Sequence, residues 1–224
     1  RSKRDPLIYI VLITILLLVL AVAGLSMLKS TPSDYHPFPQ RNTDQVSPYL
    51  THKLAPDLYN KVQLDRPFRI EVEQFGLNDI LSRYEWPREF EGVNVDRPSV
   101  VIDPESLKIM ATVTWTRIPM VVTIAARPEL DAQGRLSLNI QQVKAGRISI
   151  TPLAKKITAK VIEKQIASGH DEDWVKDLAA ALLQNEPFVP VWPTVKDIDI
   201  QLTDIEILDK KMYLTFQPLE NKKL

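Results

Sequence analysis

Cysteine is absent from the 224 residues. That removes disulfides, zinc–thiolate sites, thiol nucleophiles and any lipid carried on a thiol. Glycine is scarce, six in all and never clustered, so there is no glycine-rich phosphate loop and no Gly-x-Ser-x-Gly nucleophile elbow. Neither sign of charge is in excess: 28 Lys and Arg stand against 28 Asp and Glu, and a chain without a basic surplus lacks the electrostatic footprint of a nucleic-acid partner. Histidine occurs three times. His36 and His52 lie in a polar, proline-rich segment and are read as solvated. His170 precedes Asp171, Glu172 and Asp173, a group that suits the positive end of a helix better than a metal. Asp197, Asp199, Asp204, Glu206 and Asp209 lack the spacing and glycine of a calcium loop and read as a wet strand face. No catalytic residue, metal or cofactor is expected, and the chain is read as non-enzymatic.

Against these absences stands one long apolar run. Residues 7–28, LIYIVLITILLLVLAVAGLSML, carry no charge. As a helix they reach about 33 Å, enough for a bilayer core of about 30 Å. Arg1, Lys3 and Arg4 precede the run and only Lys29 follows closely, so the positive-inside bias puts residues 1–6 in the cytoplasm and the remainder outside the cell membrane. A chain that opens on Arg rather than Met is expected to continue further on the cytoplasmic side. A cleaved signal peptide is the competing reading, because Ala21-Val22-Ala23 has a small-x-small form. The run continues through Leu25, Met27 and Leu28, which favours an anchor. Residues 29–66, broken by Pro32, Pro37, Pro39, Pro48 and Pro56, are expected to form an extended tether holding the domain away from the bilayer, with a short helix between Pro56 and Leu64.

The domain is expected over residues 67–224. Phe68 to Glu73 alternates apolar with charged residues, a half-buried strand. Leu77, Ile80, Leu81 and Tyr84 share a helical face, and Glu85 to Glu91 is expected to be a loop. The clearest pattern lies in the middle. Leu107, Ile109, Ala111, Val113 and Trp115 alternate with polar residues, Met110 being the apolar exception, and Ile118, Met120, Val122, Ile124 and Ala126 repeat the alternation. Leu136, Leu138 and Ile140 follow the turn at residues 131–134, giving an antiparallel meander. Two amphipathic helices are expected at about residues 152–168 and 171–186, the first capped by Thr151. Strands containing Ile198, Ile200, Leu202, Ile205 and Ile207 and then Met212, Leu214 and Phe216 close the chain. The fold class is α+β: an N-terminal transmembrane helix, then a curved antiparallel sheet covered by amphipathic helices.

The helix Gly-Leu-Asn-Asp-Ile-Leu, the meander TVTWTRIPMVVTIAARPELDAQGRLSLNIQQVKAGRISI and the helix start TPLAKKI resemble the YpmS-like single-pass bacterial proteins and, more distantly, the tubular lipid-binding (TULIP-type) domains. The likeness covers roughly residues 67–217 and lies in element order. It implies a curved sheet around a helix, with an apolar groove that takes an acyl chain. On this sequence the groove is assigned to Val113, Trp115, Met120, Val122, Ile124 and Leu138, closed by Ile157, Val161 and Ile162; Lys155, Lys156, Lys160 and Lys164 are placed to meet anionic headgroups. The alternative function is a non-catalytic scaffold or accessory subunit of a larger membrane complex, with other membrane subunits as partners and Trp86, Phe188 and Trp192 as anchors.

Overall fold

A computed structural model describes residues 6–90, 92–104, 106–151, 187–193 and 198–219. The helices expected over 152–186, and with them His170, the four lysines and Ile157, Val161 and Ile162, lie outside the described residues.

The first helix, α1, spans Pro6–Leu28, 23 residues without a charge or a preferred apolar side. Its side chains are described from Ile15 onward, and Leu16, Leu18, Val19, Leu20, Val22 and Leu25 are all exposed. Among the described residues no helix is long and apolar enough to cross a membrane. The carbonyl of Met27, one of the helix-terminal acceptors that lack an intrahelical donor, receives the backbone N–H of Arg147 at 2.9 Å.

The segment expected to be a free tether instead lies across the domain. Pro32, Pro37 and Pro39 do stand in irregular chain, whereas Pro48 and Pro56 lie in helical turns, and an irregular chain need not be a solvated one. Tyr35 and Tyr49 are buried, and Arg41 and Ser47 both bond the carboxylate of Asp79. We refer to residues 29–48 as the strap. A π-helical turn, Leu50–Leu54, leads into helix α2, Ala55–Val62, whose Val62 enters the core.

Two antiparallel sheets follow. Strands β1 (Phe68–Glu73), β8 (Val191–Pro193), β9 (Asp199–Leu208) and β10 (Lys211–Pro218) form one, in the order β1-β10-β9-β8. The other is a sequential meander of six strands: β2 (Arg88–Phe90), β3 (Val93–Asp103), β4 (Ser106–Trp115), β5 (Ile118–Leu130), β6 (Leu136–Ala145) and β7 (Ile148–Ser149). The architecture is α+β with a curled antiparallel sheet. Phe68, Ile70 and Val72 pair across the ladder with Phe216, Leu214 and Met212, and with Ile200, Leu202 and Leu136 they make the main core. Two seams join the sheets. Leu136 and Phe188 exchange both backbone hydrogen bonds, and the N–H of Lys210 donates to the carbonyl of Ile102 at 2.9 Å.

Helix α3, Gln74–Leu81, corrects the sequence reading. Tyr84, assigned to its apolar face, is exposed, while polar Asn78 and Asp79 are buried. Buried polar groups need partners, and these have them. The Asn78 amide donates to the Val100 carbonyl and accepts from the Val100 N–H, and Gln74 accepts from Ile102, so α3 caps the open edge of β3 as a strand would. Strand β3 was not foreseen because Pro98 argues against a strand interior; a register shift between Asp96 and Ser99 accommodates it. Strand β2 likewise occupies part of the expected loop.

Candidate functional site

The register of the meander decides which predicted groove residues meet. Val113 stands opposite Met120, Trp115 opposite Ile118, Ala111 opposite Val122 and Ile109 opposite Ile124. Directly opposed residues share a face, so Val113, Trp115, Met120, Val122 and Ile124 are brought together with Ile109 in one strip. On β6 the strip continues to Val143, across from Ile124, and Ala145, across from Val122. Leu138 lies farther along the same face: past the register shift at Ala125/Ala126 it stands opposite Pro128 and packs against the main core. The strip thus runs into that core, because alternate residues of β5 carry it from Met120 to Leu130, which packs there too. Ile157, Val161 and Ile162, assigned to close the groove, lie outside the described residues.

Exposure rises across the strip, from β6 to β4. Val143 and Ala145 on β6 are buried, Val113, Met120, Val122 and Ile124 are half-buried, and Ile109 and Trp115 on β4 are 46% and 60% exposed. A row of partly wet apolar side chains leading out of a dry core is a surface on which an acyl chain gains about 0.8 kcal/mol for each methylene it buries. None of the side chains named in the strip is a nucleophile, acid or base.

The opposite face of the same strands is closed. Met110, the apolar exception of the alternation, is 0% exposed and packs with Val121, Val101 and Tyr35. The Tyr35 hydroxyl donates to the Arg97 carbonyl at 2.8 Å and accepts the Thr112 N–H at 3.1 Å. Beside it Lys108 bridges Asp103 at 2.6 Å and Asp34 at 3.0 Å. Burial alone would raise the Asp34 carboxyl, but the hydrogen bond from Lys108 and its charge prevail and hold it below the usual aspartate value. The hydrogen bond to Asp103 chiefly, and then Asp34, push the Lys108 ammonium up.

A second concavity, a cleft of about 540 Å³, lies between the strap, α3 and the β9–β10 turn, lined by Asp34, His36, Phe38, Phe75, Lys210 and Lys211 among others. Phe38 and Phe75 meet edge-on there, 5.2 Å apart. Its walls come from four distant segments, Ser99 and Val101 of β3 being the fourth, so no local pattern announced it. Among the described residues no three His, Asp or Glu side chains gather as metal ligands would.

The aromatic anchors assigned to partner binding are built into the fold. Phe188 and Trp192 pack against the main core, Trp192 edge-on to Phe216 at 6.1 Å. Trp86 is half-buried and donates its indole N–H to the Leu81 carbonyl at 2.9 Å. A loop position did not make them exposed, because their strands and turns fold back onto apolar surface. No family model, curated protein or solved structure matches the chain.

Proposed function

We propose that the chain is a single-pass membrane protein, N-terminus cytoplasmic and domain outside, whose apolar sheet strip holds a lipid or another apolar ligand without acting on it. The observation that carries the binding half is the gradient across one continuous face, from buried Val143 and Ala145 on β6 to Ile109 and Trp115 on β4, 46% and 60% exposed. A soluble domain normally covers such a face or uses it. The membrane half rests on α1: uncharged, apolar on every side and uncovered where its side chains are described. A helix hydrophobic all round belongs either in a core or in a bilayer. This reading also sets the chain beside the YpmS-like and TULIP-type proteins that its sequence resembles. The scaffold alternative draws less support, since two of its three anchors, Phe188 and Trp192, are packed against the core.

An environment-sensitive acyl probe added to the detergent-solubilised protein is expected to brighten. Ile124→Trp, which fills the middle of the strip, is expected to abolish that signal while leaving the unfolding midpoint unchanged. Equal brightening by the variant contradicts the assignment.

A further inference from the structure

The junction between α1 and the domain has no slack. The Arg147 N–H bonds the Met27 carbonyl at 2.9 Å, and the Gly146 N–H bonds Val121 at 2.8 Å, so the end of the helix, the β6–β7 turn and β5 are tied in succession. Gly146 makes the approach possible. It adopts φ +57°, and a Cβ at that position would overlap the carbonyl oxygens of Met27 and Leu28. Whatever surface α1 emerges from therefore lies against this end of the six-stranded sheet rather than a tether's length away.

The β4–β5 turn lies at the same end of the meander. Its two central residues, Thr116 and Arg117, take φ +47° and +71°. Neither is glycine, and Thr is β-branched, so the two-residue hairpin turn holds its positive φ values at some cost. The turn presents exposed Trp115 and Arg117, and Lys29 and Arg147 at the helix junction are exposed as well. Among the described residues none of these three basic side chains forms an ion pair. Tryptophan with unpaired Lys and Arg is the composition that seats protein in a phospholipid headgroup layer, the ring at the interface and the cations on phosphate.

We propose that the sheet end bearing the β4–β5 and β6–β7 turns rests on the headgroup layer of the leaflet in which α1 ends, with Trp115 and Arg117 seated in it. The Trp115 end of the apolar strip then opens onto that leaflet. Strand rise puts the Trp115 end of the strip within about 15 Å of the Val121–Gly146 tie. The ligand is accordingly a membrane phospholipid taken up sideways from the bilayer, not an apolar solute captured from water. This proposal rests on the membrane-anchored reading above, and its test separates the two.

The absence of cysteine lets single labelled sites be placed cleanly. The full chain, carrying an environment-sensitive fluorophore at Val19→Cys, Arg117→Cys, Arg147→Cys or Gln133→Cys in turn, is transferred from detergent to phosphatidylcholine–phosphatidylglycerol vesicles. Gln133 sits in the β5–β6 turn at the far end of the meander, roughly 30 Å from Arg147 by strand rise. The expected result is a blue shift, and quenching by headgroup-labelled lipid, at residues 117 and 147 together with a deep position for residue 19 and no shift at residue 133. A deep residue 19 with residues 117 and 147 in water overturns the docking alone. A water-exposed residue 19 overturns the membrane span and the docking with it. Equal shifts at residues 117, 147 and 133 show non-specific adhesion and overturn the docked orientation.

Discussion

The two faces of the β4–β5 ladder are made of the same strands yet end in opposite environments. On one, Met110 is 0% exposed beneath Tyr35; on the other, its sequence neighbour Ile109 is 46% exposed. By local pattern the assignment should be reversed, since the Ile109 face is the more apolar and the Met110 face carries Lys108, Thr112 and Thr114. The difference is made by a remote segment. The strap brings Tyr35 to the mixed face, satisfies Thr112 by hydrogen bonding and neutralises Lys108 with Asp34. A polar face can thus be dry when its polar groups are paired. The apolar face, by contrast, has no such remote segment over Ile109 and Trp115 among the described residues, and it is the face on which the proposed ligand would lie.

The largest effect should come from truncating each face in turn. Met110→Ala is expected to lower unfolding stability by about 3 kcal/mol, because it empties a site with no access to water. Ile109→Ala should cost under about 1 kcal/mol, removing a side chain already half in solvent. Denaturant titration of the two variants reads the difference directly, and equal losses break the contrast.

Next is the clamp that holds the strap. Asp79, only 2% exposed, accepts from Arg41 and Ser47 and pairs with Arg83 at 3.5 Å. Asp79→Asn keeps the shape and removes the charge that two arginines face. A loss of about 2 kcal/mol is expected, in line with charged hydrogen bonds and discounted for the half-exposed Arg41. Proteolysis in the strap should accelerate in step; an unchanged cleavage rate separates the clamp from the strap. Tyr35→Phe keeps the ring over Met110 but leaves the Arg97 carbonyl and Thr112 N–H unpaired, an expected cost of about 1 kcal/mol by the same titration.

The smallest effect is in pH. Asp34 is held below its usual value when folded, so its contribution is present above the unfolded value and fades as pH falls through the folded one, below about pH 4. Lys108 is raised when folded, so its share is present below the unfolded value and disappears as pH rises through the folded one, above about pH 10. Stability of Asp34→Asn measured against wild type should converge in acid and separate at neutral pH. A constant gap from pH 3 to 7 contradicts the pairing.

Much of this was legible along the chain. Strand alternation identified β1, the β4–β5–β6 meander and the β9–β10 hairpin, because each has a face of consistent polarity and a turn of recognisable chemistry. It also grouped Val113, Trp115, Met120, Val122 and Ile124 correctly, since a two-residue turn fixes the register of β4 against β5. What alternation cannot carry is contact between distant segments. The strap was read as solvated because prolines report backbone shape, not burial. Asn78 and Asp79 went unnoticed because a buried polar residue has no local signature; its partners, Val100 and Arg41, lie 22 and 38 residues away. The register shift at Ala125/Ala126 left no mark in the alternation of β5, yet it is what sets Leu138 opposite Pro128, toward the main core.

The most direct test of the open face is native mass spectrometry of the gently solubilised full-length protein beside Val122→Trp. Lipid-sized mass is expected on the wild type and lost from the variant at unchanged fold. A wild type that flies bare, or a variant that keeps the same adduct, contradicts the claim that this strip is a binding surface.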